Sequence, residues 1–295
     1  LGAGAIGLPL AAHLLKSGRD ILAVRTGTDD IESQHVEISV TGMDGSICTA
    51  STQMISLAKL QTLDGIIVVT AKSYANAMIA ARLKDMVVSS PLVIMQNGVG
   101  VEEPYLTLDA PIYRCVLYAT GQKYGANSYK FAPVNASPIG IVRGSKQELD
   151  GLVETLNTPA FPFVSHSDIK REVWKKAITN AVFNSVCPLL EIDNGIFIRD
   201  AGAAALAREI VEECVVIAHA MGMTLTAEEI MQQLFAISKK SDGQLISTLQ
   251  DINEGRETEI DYLNLEIARQ AEALTPPVQA HITKTLGEMV KIKSK

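Results

Sequence analysis

The sequence predicts an α/β domain with a mostly parallel sheet, followed by an all-α domain. In the first half, short β-rich runs such as "GIIVVTA" and "PLVIMQNG" alternate with helix-compatible stretches such as "LPLAAHLLKSG", which is typical of βαβ units. In the second half, segments such as "AALAREIVEECVVIAHAMG" keep apolar residues at helical spacing. We therefore expect two domains of different class.

Length and charge narrow the class of protein. The 295 residues, 47% of them hydrophobic, suffice for two domains of about 150 residues each. The formal charge of -7 gives no basic field for nucleic acid. No run reaches the ~18 apolar residues that a membrane span needs. The partners expected are small molecules or proteins.

The domain boundary is expected near residue 165. Residues 111 to 144 contain short strands between Gly, Asn and Pro turns, which predicts an antiparallel extension of the same sheet. A helix near residues 146 to 156 closes this domain. The stretch "NTPAFPFVSHSD" then carries two prolines, and the segments after it are helical. The predicted domains are residues 1–165 and 166–295.

Cysteine and histidine predict no metal site. The four cysteines show no ligand spacing, which favours neither zinc nor disulfides and fits a reducing cytoplasm. The five histidines are dispersed, so a catalytic or metal-bound histidine finds little support. These residues are Cys48, Cys115, Cys187, Cys214, His13, His35, His166, His219 and His281.

The opening stretch "LGAGAIG" has the GxGxxG spacing of a dinucleotide-binding loop. The glycines allow a tight turn and close approach to a pyrophosphate, and the following helix offers free N–H groups. The strand that should precede the loop is mostly outside the sequence, with Leu1 as its last residue. A glycine-rich surface turn is the alternative. The predicted cofactor-binding residues of the loop are Gly2, Ala3, Gly4, Ala5, Ile6 and Gly7.

Polar residues follow three predicted strands of the first domain. Arg25, about 20 residues after the loop, can grip the 2′-phosphate of NADP and favours NADPH. A solvated arginine is the alternative, and Asp29 and Asp30 leave NAD open. Lys72 and Asn97 follow later strands, at the carboxyl edge where open α/β sheets bind ligands. A solvated lysine and a turn asparagine are the competing interpretations.

The stretch "REVWKKAITNAVFN" places Lys176, Asn180 and Asn184 on one line of an otherwise apolar helix. At about 100° per residue they span an arc of about 80°. A buried ammonium needs a partner or a polar ligand, and a lysine can donate a proton. The line is thus expected to face an anionic, carbonyl-bearing ligand. The alternative is a lysine that reaches solvent beside two asparagines bonded to neighbouring helices.

The late stretch "STLQDINEGRETEID" supplies Ser247 and Glu259, and "EIDNG" supplies Asn194. Glu259 has a structural alternative. Thr258 with Asp261 resembles a helix-capping box, which would make Glu259 an acid in the first turn of a helix. Local sequence leaves both interpretations open.

Four stretches in order, "GAGAIG", "QNGVG", "WKKAITNAVFN" and "STLQDINEGRETEID", together resemble the ketopantoate reductase (2-dehydropantoate 2-reductase) family over nearly the whole chain. The resemblance implies a Rossmann-type NADPH domain, a 6-phosphogluconate-dehydrogenase-like helical domain and an active site between them. It implies reduction of ketopantoate to (R)-pantoate in pantothenate and coenzyme A biosynthesis, with no metal.

The resemblance also implies roles for individual residues. Lys176 corresponds to the family's general acid and Arg25 to its 2′-phosphate binder. The implied cofactor-side residues are Lys72, Asn97 and Glu259. The implied substrate contacts are Asn97, Lys176, Asn180, Asn184, Asn194 and Ser247. Lys175 lies about 100° around the helix from Lys176 and is expected to be dispensable.

Two positions depart from the family's usual residues. Gln244 stands where an asparagine is common, and Thr248 where methionine is common. The longer side chain of Gln244 leaves a different branched 2-oxo acid open as the substrate. A non-catalytic NADPH-binding regulator is the alternative from another class. The apolar helical faces could bury against a second copy or within the domain, so the sequence leaves a homodimer open.

Overall fold

A computed structural model describes residues 1–27, 32–86 and 90–295. Asp29 and Asp30, which left the choice of NAD open, lie outside these ranges. The chain forms two compact units, residues 1–96 with 101–169, and residues 97–100 with 170–295. The domain boundary that the sequence places near residue 165 stays a prediction.

The first unit contains ten strands and three helices within the described ranges. Its strands are β1 (Leu22–Arg25), β2 (Gln34–Thr41), β3 (Ile47–Ser56), β4 (Ile67–Val69), β5 (Leu92–Ile94), β6 (Ile112–Cys115), β7 (Ala119–Lys123), β8 (Ser128–Pro133), β9 (Ser137–Arg143) and β10 (Phe163–Ser165). Its helices are α1 (Gly7–Lys16), α2 (Asn76–Lys84) and α3 (Lys146–Leu156).

The strands form two sets of five, and the first residues of the chain join them. One set has the order β1-β3-β2-β8-β7 and the other β10-β9-β6-β5-β4. Gly2 N–H donates to the Val24 carbonyl at 2.8 Å, and Thr70 N–H donates to the Leu1 carbonyl at 2.8 Å. Leu1 N–H donates to the Val68 carbonyl at 2.6 Å. Leu1 and Gly2 therefore lie between β1 and β4, as expected of the end of a first strand.

The expected antiparallel extension divides between the two sets. β4, β5 and β6 pair in parallel, and β9 adds antiparallel to β6. The hairpin of β7 and β8 instead joins β2. The reason is a long hairpin of β2 and β3 that the sequence analysis did not predict. Its Val36, Ile38 and Val40 are buried, and the edge of β2 is left to pair with β8.

The second unit is helical, which confirms the predicted fold class of an α/β domain followed by an all-α domain. Its helices are α4 (Ile169–Leu190), α5 (Ile196–Arg199), α6 (Ala201–Ala220), α7 (Ala227–Lys240), α8 (Ser247–Asn253), α9 (Asn264–Glu272) and α10 (His281–Lys293). Asp200 and Thr226 cap α6 and α7 by accepting from backbone N–H groups, which satisfies donors that a helix start leaves unpaired.

Helix α4 runs through the core of the second unit. Ile178, Ala181 and Val182 are fully buried and pack with α6 and α7 residues such as Ile210 and Leu234. Apolar side chains thus cover most of the circumference of α4, as its sequence predicted. Within the described ranges no helix is both long and apolar enough to cross a bilayer.

Candidate functional site

The glycine-rich loop lies in the first unit, between the Leu1–Gly2 segment and α1. Gly2 has a φ of 110°, and a Cβ there would overlap the backbone of Thr70 and Ala71. A Cβ on Gly7 would overlap the Gly2 carbonyl oxygen. Both positions therefore need glycine for this tight turn, as the motif predicts.

The loop also fits a pyrophosphate. Around Gly4 the position of a Cβ is open space, so a ligand can approach the backbone. In the described part of the chain no side chain caps α1, and its first turn holds no acidic residue. The N–H groups and the positive end of the helix dipole remain available to an anion.

A second glycine contact supports the loop from the side. A Cβ on Gly121, in β7, would overlap the carbonyl oxygen of Ala5. The β7 strand therefore approaches the loop so closely that only glycine fits at this point. Gly121 was not predicted from the sequence, where its signal is a glycine inside an otherwise ordinary strand pattern.

Arg25 and Lys72 lie where the sequence predicted, after neighbouring strands of the first unit. Arg25 is the last residue of β1, and Lys72 follows β4 by three positions, next to a 3-10 turn at Ser73–Ala75. Both side chains are half-buried. The carboxyl ends of β1 and β4 flank the glycine loop, so both residues belong to the edge that binds ligands in open α/β sheets.

Asn97 belongs to the second unit, in the four-residue segment 97–100. Gly98 has a φ of 105°, and a Cβ there would overlap the Tyr262 carbonyl oxygen. Val99 N–H donates to that same oxygen at 3.0 Å. This close contact fixes the backbone of the segment, and it requires glycine at position 98.

Lys176 contacts Asn97 directly. The Nζ of Lys176 donates to Asn97 Oδ1 at 2.8 Å, and both side chains are partly buried. A hydrogen bond from an ammonium to an amide oxygen holds the charged end of the lysine in one place. The structure thus joins two residues that the sequence singled out separately.

Asn180 and Asn184 follow Lys176 along α4, but they differ in exposure. Asn180 is half-buried, whereas Asn184 is 3% exposed. The Nδ2 of Asn184 donates to the Asn180 carbonyl at 2.9 Å, and its Oδ1 accepts from Thr248 Oγ1 at 2.7 Å. Pro188 lies inside α4 and has no N–H to donate to the Asn184 carbonyl.

Asn194 and Ser247 lie at two segments that share a hydrogen bond. Asn194 N–H donates to the carbonyl of Gln244 at 2.9 Å, and Ser247 begins α8 three residues later. Asn194 is 6% exposed, and its Oδ1 is buried without a partner among the described residues. Such an acceptor is costly unless a ligand or a water satisfies it. Gln244 and Ser247 are exposed.

An aspartate and an arginine hold these two segments together. Asp193 Oδ1 accepts from Gly195 N–H at 2.8 Å and Gly243 N–H at 3.0 Å. Arg199 donates to Asp193 Oδ2 at 2.8 Å and also to Asp242. These bonds hold the pKa of the Asp193 carboxyl well below its usual range, with the Arg199 hydrogen bond as the largest cause.

The capping box of Thr258 and Asp261, the structural alternative for Glu259, does not form in the described structure. The segment forms only a short 3-10 turn at Ile260–Tyr262, and Glu259 itself precedes it, with no side-chain cap in the described structure. Asp261 instead pairs with Lys291 at 2.6 Å. Tyr262 N–H donates to the Glu259 carbonyl at 2.9 Å, so Glu259 lies next to the residue that anchors segment 97–100.

Across residues 1–27, 32–86 and 90–295, His, Cys, Asp and Glu form no group of three that could hold a metal ion. Burial raises the pKa of the Cys187 and Cys214 thiols to about 12, which makes both poor nucleophiles.

Comparison with known proteins covers both units. The family model described as "Ketopantoate reductase PanE/ApbA" matches residues 1–136, and the model of its C-terminal part matches residues 168–294. The 2-dehydropantoate 2-reductase of Archaeoglobus fulgidus is 25% identical, covering 99% of this chain and 95% of its own. That of Pyrococcus horikoshii is 27% identical, covering 99% and 96%.

Solved structures share the fold. A 2-dehydropantoate 2-reductase from Geobacter metallireducens has a TM-score of 0.84 at 20% identity, covering 99% of this chain and 98% of its own. A D-mandelate dehydrogenase with NADH and anilino(oxo)acetate has 0.84 at 19%, covering 99% and 96%. A dimeric ketopantoate reductase from Staphylococcus aureus has 0.79 at 17%, covering 99% and 96%. With both units matched by one family's models, the chain belongs to the ketopantoate reductase family.

Proposed function

We propose that the chain reduces 2-dehydropantoate (ketopantoate) to (R)-pantoate with NADPH, a step of pantothenate and coenzyme A biosynthesis in the cytoplasm. Membership of the ketopantoate reductase family supports an oxidoreductase. The observation that carries the proposal is the hydrogen bond from Lys176 Nζ to Asn97 Oδ1 at 2.8 Å. It places an oriented cation on the polar line of α4.

Lys176 acts as the electrophile and proton donor. When bound, the nicotinamide supplies the hydride to the C2 carbonyl carbon of a 2-oxo acid. Negative charge then grows on the carbonyl oxygen, and the Lys176 ammonium stabilises it and gives up a proton to it. Asn97 holds the Nζ in place, so the lysine loses little freedom when the substrate arrives.

The remaining residues are proposed to bind either the cofactor or the substrate. The glycine loop is proposed to bind the pyrophosphate through backbone N–H groups, and Arg25 the 2′-phosphate of NADPH. Lys72 and Glu259 are proposed to contact the cofactor. Asn180, Asn194 and Ser247 offer neutral donors and acceptors to the substrate, and Asn194 brings a buried acceptor without a partner in the described structure. A homodimer is proposed by analogy with the dimeric relative.

The experiment compares two neighbouring lysines. NADPH oxidation with ketopantoate is followed for the parent, Lys176→Ala and Lys175→Ala. We expect Lys176→Ala to lower kcat about 10²- to 10⁴-fold, the usual contribution of a general acid. Lys175→Ala is the matched control and should stay within about twofold of the parent, because it is not on the polar line. Equal rates for Lys176→Ala and the parent would refute the proposed role.

A second candidate is the reduction of another branched 2-oxo acid. It is favoured by Gln244, whose backbone contacts Asn194 and whose exposed side chain lies three residues before Ser247. A panel of 2-oxo acids ranked by kcat/KM decides between the two. Binding of NADPH without turnover of any acid in the panel would favour a regulator instead.

A further inference from the structure

The side-chain amide of Asn184 is engaged on both of its ends. Its Nδ2 donates to the Asn180 carbonyl at 2.9 Å, and its Oδ1 accepts from Thr248 Oγ1 at 2.7 Å. A main-chain carbonyl only accepts, so the NH₂ group must face Asn180 and the oxygen must face Thr248. The orientation of the amide therefore follows from its partners.

The bond between Asn184 and Thr248 is buried. The two residues are 3% and 2% exposed, respectively. In such surroundings a polar group that loses its partner is strongly unfavourable, whereas replacing both partners by apolar groups of the same shape is nearly neutral. Removing one partner should therefore destabilise the fold more than replacing both partners together.

The bond joins the two helices that carry the proposed reactive and substrate-side groups. Asn184 is on α4, eight residues after Lys176, and Thr248 is the second residue of α8, directly after Ser247. Ser247 is exposed, although its neighbour Thr248 is buried. Fixing Thr248 to α4 thus fixes where Ser247 lies relative to Lys176.

We propose that Thr248 and Asn184 form a structural tie and that Thr248 is a positioning residue for Ser247. This inference rests on the proposed function for the roles of Ser247 and Lys176. The tie depends on Thr248, which stands where the family commonly has a methionine. Methionine has no hydroxyl to occupy Asn184 Oδ1.

The test is a cycle of variants measured by melting temperature and by kinetics with NADPH and ketopantoate. The variants are Thr248→Val, Thr248→Ser, Asn184→Leu and the double variant Asn184→Leu/Thr248→Val. Thr248→Val should lower the melting temperature by about 3 °C or more and raise KM more than it lowers kcat. Thr248→Ser keeps the hydroxyl, so its melting temperature and its KM should stay close to those of the parent.

The double variant tests the tie. If Asn184 and Thr248 hold each other, the double variant should melt above Asn184→Leu, since coupled residues are not additive. Additive melting shifts would overturn the tie, and an unchanged KM in Thr248→Val would overturn the positioning role.

The melting cycle makes the test of the tie independent of activity. If the parent does not reduce ketopantoate, the proposed function fails, and the melting cycle still decides whether the tie exists.

Discussion

Arg25 is the residue at which the choice between NADPH and NADH is expected to be made. It is the last residue of β1, and a guanidinium there can pair with a 2′-phosphate in two parallel hydrogen bonds. Arg25→Ala should lower kcat/KM for NADPH by about 10- to 100-fold, because charged hydrogen bonds contribute about 1.5–3 kcal/mol. The value for NADH should change little.

The comparison needs an arginine from the same unit that is not expected to contact the cofactor. Arg19 is exposed, and its side chain donates to the Thr155 and Ser17 carbonyls. Arg19→Ala should leave the NADPH-to-NADH ratio of kcat/KM unchanged. Equal losses for both cofactors in Arg25→Ala would contradict selection of the 2′-phosphate.

Single residues of the candidate site differ in how far the sequence predicted them. The polar line on α4 was visible from spacing, because apolar side chains cover most of the rest of the helix. The bond between Lys176 and Asn97 was not, since 79 positions separate them and no local pattern reports such a contact. Thr248 was noticed only as a departure, because an internal hydrogen bond to Asn184 leaves no periodic signal.

At the scale of elements, the Asp193 cluster is a connection whose stability depends on pH. Its carboxylate holds the turn between α4 and α5 to the segment before α8, and its pKa is depressed. A depressed carboxyl pKa adds stability above the ordinary value near 3.8, and this contribution is lost as the pH falls through the folded-state pKa.

Asp193→Asn should therefore lower the free energy of unfolding at pH 7 by about 1 kcal/mol or less, because partial exposure screens the ion pair. The difference from the parent should shrink as the pH falls below about 4. Urea unfolding at pH 7, 5 and 3 measures it. Asp109→Asn, an exposed aspartate of the first unit, serves as the control. A gap that stays constant with pH would contradict the role of ionisation.

The local signals of single elements were easier to use than the pairing of strands. Helix α4 and the strands β4 and β5 follow from apolar patterns. The β2–β3 hairpin was missed although β2 has apolar residues at every second position and Asp44–Gly45 is a typical hairpin turn. The place of the β7–β8 hairpin beside β2 depends on that missed edge, so one omission explains both differences.

For the whole molecule, cofactor binding is expected to appear as stabilisation. A ligand that binds only the folded state adds about 2.7 kcal/mol at 100 times its Kd. NADPH at saturating concentration should raise the melting temperature of the parent, and the same concentration of NADH should raise it less. Arg25→Ala should remove most of the difference. Identical shifts with both cofactors in the parent would contradict a preference for NADPH.

The four residues 97–100 have a consequence for how the chain can be divided. They belong to the helical unit, where Val99 is part of the apolar core and bonds to Tyr262, although they lie far upstream in the sequence. A fragment that begins at residue 170 would lack both the packing of Val99 and the Asn97 partner of Lys176. A chimaera that takes the helical unit from a relative must therefore also take residues 97–100 from it. The two compact units are not two consecutive stretches of the chain.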